Sequence, residues 1–98
     1  MREFPEEVSA VLGSERVLEV LAAVEHERWS HWQRYLHSRC ERGEDGSLTI
    51  PPALVSRWEQ QMSTPYSQLS EDEKESDREQ VRRYLSVMMD ALRERGRL

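Results

Sequence analysis

Residues 70–92 read SEDEKESDREQVRRYLSVMMDAL, and this stretch determines the fold class. Ser70 and Glu73 form a capping box, in which each side chain accepts a hydrogen bond from the other residue's backbone N–H. Acidic residues crowd the first turn, where the helix dipole favours negative charge. Apolar residues then recur at helical spacing: Val81, Tyr84, Leu85, Met88 and Leu92. The stretch predicts a long amphipathic helix over about residues 70–95.

A second long helix is predicted nearer the N-terminus. Ser14 is a favourable N-cap, and the helix that it begins runs to about residue 38. Gly13 just before it ends a short helix, over about residues 5–12, with Pro5 in its first turn. The inward stripe of the long helix comprises Leu18, Leu21, Ala22, Trp29, Trp32 and Leu36.

The residues between the long helices predict one shorter helix. Residues 41–47 form a loop with a turn at Asp45–Gly46, and residues 48–50 alternate like a short strand. The helix follows over about residues 52–62, with Pro52 in its first turn. The residues that we expect on its buried side are Leu54, Val55, Trp58 and Met62.

We therefore expect an all-α fold in one domain over residues 1–98. Two long amphipathic helices pack antiparallel, with one shorter helix between them and a short N-terminal helix. A chain of 98 residues buries a modest share of its surface, so a homodimer that buries more is plausible.

Composition excludes several functions. The net charge of −5 argues against general nucleic-acid binding, which requires a basic surface. The basic cluster Arg93, Arg95 and Arg97 is short and suits a helix C-terminus. The single cysteine, Cys40, fits a reducing compartment. No signal peptide or membrane span is recognisable, so we expect a cytoplasmic protein.

Charged residues fall on the inward side of both long helices. Glu25 and His26 lie within or beside the first apolar stripe, and Lys74, Asp77 and Arg78 within or beside the last one. Burying a charge is costly unless it is paired. Antiparallel packing would bring the two groups of charges together.

Three interpretations of these charges stay open, of which one is a protein-binding surface. In the first, they form a structural network in which Glu25 pairs with Lys74 or Arg78, Asp77 pairs with His26, and Tyr66 covers the group. In the second, they line a pocket for a planar, anionic small molecule. The candidate ligand-binding residues are Glu25, His26, Trp29, Trp32, Tyr66, Lys74, Asp77 and Arg78.

No pattern indicates catalysis, a metal or a cofactor. A nucleophile needs a base and an oxyanion site beside it, and Cys40 with His37 lacks the latter. His37, Cys40 and Glu41 have no fourth metal ligand near them in the sequence. We expect a protein that is not an enzyme.

Two motifs resemble the repeat domain of ryanodine receptors. The first is His26-Glu27-Arg28-Trp29, which matches a His-x-x-Trp on the first helix of that domain. The second is PYSQLSEDEKESDR over residues 65–78, which matches a Pro-Tyr-x-x-Leu loop followed by Glu-x-Lys-x-x-Asp-Arg. The order and phase of both motifs agree, so the resemblance covers about residues 20–88.

The resemblance implies a mainly helical fold in a small stand-alone protein of bacterial or phage origin. Some prokaryotic relatives sit near defence systems, in which nucleotide-derived signals are thought to be sensed. The implied function is a non-catalytic sensor or sponge for a nucleotide-derived or other anionic ligand, in the bacterial host cytoplasm. The alternative is an oligomeric accessory protein that acts on a host protein. The receptor's repeats occur in pairs, and a homodimer would stand in for the pair.

Overall fold

The computed structural model describes residues 6–96, of which about 80% are helical. The elements are α1 (Glu6–Leu12), α2 (Glu15–Arg39), β1 (Glu41–Arg42), β2 (Leu48–Thr49), α3 (Pro52–Ser63), a 3₁₀ turn (Tyr66–Gln68) and α4 (Glu71–Gly96). The prediction of a mainly helical fold is confirmed. The predicted roles of Pro5 and Arg97 lie outside the described residues.

Local hydrogen bonds begin both long helices at the predicted residues. The Ser14 hydroxyl oxygen accepts a hydrogen bond from the Val17 N–H at 3.2 Å. At α4 the Glu73 N–H donates to the Ser70 hydroxyl, and the Ser70 N–H donates to the Glu73 carboxylate, each at 3.2 Å. These bonds satisfy N–H groups that the first turn of a helix leaves without partners.

The prediction of a loop over residues 41–47 is partly wrong. Glu41 and Arg42 form β1, which pairs antiparallel with β2 in the register Glu41 to Thr49 and Arg42 to Leu48. Two extended residues on each side of a short turn can exchange ladder hydrogen bonds, a pairing that composition alone does not reveal. The predicted turn is present, since Gly46 has a φ of 89°, which glycine adopts without strain.

The described chain divides into two compact units, and the long helices belong to both. The first unit contains residues 6–28 and 77–96, and the second contains residues 29–76. In the first unit Val17 is buried at 4% exposure, and Leu21, Val24 and Arg28 on the same side of α2 are half-buried. This inward face is rotated by about 90° from the predicted stripe, at about 100° per residue.

The predicted stripes of both long helices therefore need correction. Leu18 and Trp29 are 60% and 52% exposed, whereas the sequence places them inward. On α4, Val81 and Leu85 are likewise exposed, and Tyr84, Met88 and Leu92 are half-buried. Each helix carries more apolar surface than one face can bury, so the side that packs is decided by tertiary contacts.

Two contacts in the first unit show the relative direction of the α2 and α4 segments. Arg16 near the start of α2 forms an ion pair with Glu94 near the end of α4, at 2.5 Å. Farther along α2, Glu25 accepts a hydrogen bond from Tyr84, which lies earlier in α4. Within this unit, the two segments therefore meet in the antiparallel sense.

The second unit is held by aromatic contacts around α3. The Trp32 ring packs edge-on against Trp58 at 5.6 Å and lies 5.5 Å from Tyr35. Leu54 is buried at 9% exposure. Met62, which the sequence places on the same side, is 77% exposed. Over residues 6–96, none of the helices is long and apolar enough to cross a membrane.

Truncating α3 at its buried position should cost stability, and truncating its exposed end should not. Leu54→Ala should lower the free energy of unfolding by about 2–3 kcal/mol, because it leaves a cavity beside packed side chains. Met62→Ala on the same helix should change it by less than about 0.5 kcal/mol. Chemical denaturation followed by circular dichroism measures both. Equal losses in the two variants would contradict this description of the core.

Candidate functional site

The eight candidate site residues are divided between the two units. Glu25 and His26 on α2, with Asp77 and Arg78 on α4, belong to the first unit. The second unit holds the other four, Trp29, Trp32, Tyr66 and Lys74. Each group is described within its own unit.

In the first unit, Glu25 is the centre of a polar cluster on the surface. Its Oε1 accepts hydrogen bonds from the Arg28 guanidinium, including one from Nε at 3.0 Å. Its Oε2 accepts one from the Tyr84 hydroxyl. Both oxygens are thus engaged, although about half of the side chain stays exposed.

The partners of Glu25 shift the protonation equilibria of the cluster. The hydrogen bonds from Arg28 and then from Tyr84 lower the pKa of Glu25 to about 2, because they favour the charged carboxylate. The same carboxylate raises the pKa of Arg28 and that of Tyr84, chiefly through these hydrogen bonds. The cluster therefore stays ionised at Glu25 and Arg28 throughout the physiological range.

One interpretation paired Glu25 with Lys74 or Arg78, but within the first unit its partners are Arg28 and Tyr84. Arg28 lies one turn away on the same helix, so it reaches Glu25 without any help from packing. None of the polar or charged residues that the structure describes is buried, so the charges do not form a buried network. Glu25, His26 and Asp77 are exposed, and Arg78 is half-buried.

In the second unit, the structure brings Tyr66 and Lys74 together. The Lys74 ammonium lies 5.8 Å from the centre of the Tyr66 ring, within the range of a cation–π contact. The Lys74 side chain is only 19% exposed. Tyr66 is more accessible to solvent, at 48% exposure. The ammonium also lies 3.9 Å from Glu71 Oε1, a long distance for an ion pair. The Lys74 side chain is therefore largely covered, and its ammonium is loosely paired.

The tryptophans of the second unit keep part of their faces in water. Trp29 is 52% exposed and Trp32 41% exposed, although Trp32 also contacts two other aromatic rings. Tyr35, 41% exposed, extends the same aromatic group. Each of these rings therefore keeps part of its surface in contact with solvent.

Two clefts lie elsewhere in the units. One, of about 520 Å³ in the first unit, is lined by Ala10, Val11, Ser14, Arg16, Val17, Ala91 and Glu94. The other, of about 480 Å³ in the second unit, is lined by Arg57, Gln60, Gln61, Thr64, Gln68, Leu69, Ser70, Asp72 and Glu73. Neither cleft contains a candidate site residue. The acids of the second cleft are unsuited to an anion.

Sequence reasoning overlooked two participants in the polar cluster. Arg28 follows Glu25 by three residues, a spacing that favours an ion pair on one helix, and this signal was present in the sequence. Tyr84 was assigned to the apolar stripe, and only its position in the folded unit shows that the hydroxyl reaches Glu25. Among residues 6–96 there is no group of three or more His, Cys, Asp or Glu that could hold a metal ion.

No family model, curated protein or solved structure matches this chain. The resemblance to the ryanodine-receptor repeat domain accordingly stays a prediction based on the two motifs.

Acid should release the Glu25 cluster only well below the ordinary pKa of a glutamate. A carboxylate with a lowered folded-state pKa stabilises the protein above its unfolded value of about 4.3 and loses that effect as the pH falls towards about 2. The effect on stability should be small, because solvent screens a half-exposed pair. Titration of the Glu25 side-chain carbon by NMR measures the pKa directly.

Two substitutions show which hydrogen-bond donor, Arg28 or Tyr84, lowers the pKa of Glu25 more. Arg28→Gln should raise the pKa of Glu25 more than Tyr84→Phe does, because the Arg28 hydrogen bond is the larger cause of the shift. Glu27→Gln, which removes a neighbouring charge from α2, should leave the Glu25 titration close to that of the wild type. A Glu25 that titrates at its ordinary value would show that the cluster does not form.

Proposed function

We propose that this chain is a non-catalytic module that binds a planar, anionic small molecule through Lys74 and Tyr66. The observation that supports this proposal is the Lys74 side chain, which is only 19% exposed and whose ammonium has Glu71 at 3.9 Å and the Tyr66 ring at 5.8 Å as its contacts. A covered charge is costly when it is not closely paired. An anion placed beside it would supply a closer counter-charge than Glu71 does.

The chemistry of the pair suits a phosphate joined to a flat ring system. A lysine ammonium is a compact point charge with three donors, which binds phosphate oxygens without a fixed geometry. The exposed face of Tyr66 offers a surface on which a base can stack. Trp29 and Trp32 are exposed in the same unit and are the next candidates for the stacking role.

The proposed biological setting comes from the motifs. A ryanodine-receptor-repeat-like arrangement, in a stand-alone protein of phage or bacterial origin, fits a sensor or sponge for a nucleotide-derived signal in host–phage conflict. We propose that it acts in the bacterial cytoplasm. The motif PYSQLSEDEK places Tyr66 and Lys74 in one short segment, so the residues that support the resemblance are also those that support the site.

Ligand binding can be followed at one atom, because Lys74 is the only lysine in the chain. Reductive methylation with ¹³C-formaldehyde keeps the charge and labels Lys74, together with the terminal amine. We expect one member of a panel of nucleotides and cyclic dinucleotides to shift the Lys74 methyl signal in a saturable manner. Calorimetry on the unlabelled protein should give the same affinity.

Substitutions test the two roles separately. Lys74→Gln should weaken binding at least about 10-fold, as loss of a charged hydrogen bond of about 1.5–3 kcal/mol implies. Tyr66→Leu should weaken it through loss of stacking, at about 1–3 kcal/mol. Arg57→Gln, on α3 in the other cleft of the unit, is the control and should leave affinity unchanged. Saturable binding that all three variants retain would place the ligand elsewhere, and no binding across the panel would refute the proposal.

A second candidate function is favoured by the aromatic surface of the same unit. Trp29, Trp32 and Tyr35 leave 41–52% of their surface exposed. Tryptophan and tyrosine dominate the energetics of protein interfaces, because large rigid rings bury much area at little entropic cost. The alternative is therefore an oligomeric accessory protein that acts on a host protein.

The aromatic surface can be tested without unfolding the unit. The tagged wild-type chain should recover a stoichiometric host protein from a bacterial lysate. Trp29→Ser should abolish that recovery, because it removes a large ring that is 52% exposed. Ser67→Ala, an exposed change in the 3₁₀ turn, is the control and should recover the same protein. Equal recovery by both variants would exclude this surface as the interface.

A further inference from the structure

The apolar residues of α4 that face water in the first unit form a regular row. Val81, Leu85 and Met89 follow one another at intervals of four residues and are 51%, 47% and 50% exposed. Residues four apart are neighbours on a helix surface, so the three side chains make one continuous ridge. Half of each side chain is thus left in water on one side of the helix.

The same row continues into a charge at each end. Four residues before Val81 lies Asp77, which is exposed, and four residues after Met89 lies Arg93. The Arg93 side chain is 60% exposed, and its guanidinium contacts Asp90 of the same helix at 3.2 Å. We name the row Asp77, Val81, Leu85, Met89 and Arg93 the α4 ridge.

The order of residues in the α4 ridge is its own complement when reversed. An acid, three apolar residues and a base face a base, three apolar residues and an acid if a second copy runs antiparallel to the first. A parallel copy would instead bring acid to acid and base to base. We propose that this ridge is the interface of a symmetric homodimer, in which two α4 helices cross near Leu85.

Helix geometry is compatible with this arrangement. Ridges formed by residues four apart interdigitate when two helices cross at about −50°. The row winds by about 40° per step, so Val81, Leu85 and Met89 form the contact side, and Asp77 and Arg93 flank it about 80° from Leu85. The Asp77 end of each copy then lies towards the Arg93 end of the other. A two-fold axis makes both ends equivalent, as the commonest form of homodimer requires. Burial of the apolar centre supplies the attraction, and the charges set the direction.

This inference rests on α4 in the first unit and does not depend on the proposed ligand. Dimer formation and ligand binding are measured separately, at the α4 ridge and at Lys74. Loss of one with retention of the other would therefore identify which proposal fails.

Sedimentation equilibrium over a series of concentrations tests the dimer. We expect the full chain to show a reversible monomer–dimer equilibrium with a dissociation constant in the micromolar range. Leu85→Asp places a charge at the crossing point and should raise that constant by at least about 30-fold, since burying an unpaired charge is costly. Circular dichroism checks that this exposed substitution leaves the helices intact.

Charge variants provide a test that does not depend on the apolar centre. Asp77→Arg and Arg93→Asp each place like charges at both ends of the interface and should weaken the dimer severalfold. An equimolar mixture of the two variants should associate again, because each copy then meets its opposite charge. Rescue by mixing cannot arise from effects within one chain, such as the new Asp beside Asp90.

Two exposed positions of α4 away from the ridge provide control variants. Glu79→Arg and Arg83→Asp make the same changes on exposed α4 positions away from the ridge, and they should leave the equilibrium near that of the wild type. A wild-type chain that stays monomeric up to several hundred micromolar would overturn the proposal. So would a dimer that Leu85→Asp leaves unchanged, or charge variants whose mixture is no tighter than either one alone.

Discussion

The hydrogen bonds that begin the two long helices are the constraint on which the rest of the structure depends. Ser14 caps α2, and Ser70 with Glu73 caps α4 reciprocally. Only Val17 and Leu54 are buried among the apolar side chains that the structure describes. A structure with so few buried side chains relies on local signals to set where its helices begin.

Both proposed interaction surfaces consist of apolar side chains that the fold leaves exposed to water. Burial of apolar area is the dominant favourable term in folding, and this chain leaves several large side chains about half-exposed in each unit. The aromatic group of the second unit and the α4 ridge of the first differ in character. The former consists of broad rings suited to stacking, and the latter is a narrow aliphatic row bounded by opposite charges. We therefore propose a different partner for each surface.

The charged residues behave differently according to whether a partner lies close in sequence. Glu25 has Arg28 one turn away, and the pair keeps the carboxylate ionised and largely satisfied at the surface. Lys74 has Glu71 one turn away but at 3.9 Å, and its ammonium lies instead under the Tyr66 ring. The first group therefore has close partners for both carboxylate oxygens, whereas the ammonium of the second is only loosely paired. This contrast is why the proposed site centres on Lys74.

The sequence by itself determined the helix boundaries, because capping residues, glycine and proline act within a few positions of the chain. Ser14, Ser70 and Pro52 all begin helices close to where their chemistry predicts. It also predicted that Tyr66 and Lys74 lie close together, and these two residues do meet.

Only the tertiary structure decided which face of each long helix packs. Leu18 and Val17 are adjacent and both apolar, so hydrophobic pattern alone could not tell that the first faces water and the second is buried. The same ambiguity concealed the contact between Tyr84 and Glu25, which joins residues far apart in the chain. A rotation of about 90° around a helix axis changes no local signal, but it exchanges the buried and exposed residues and so redefines the surfaces available for binding.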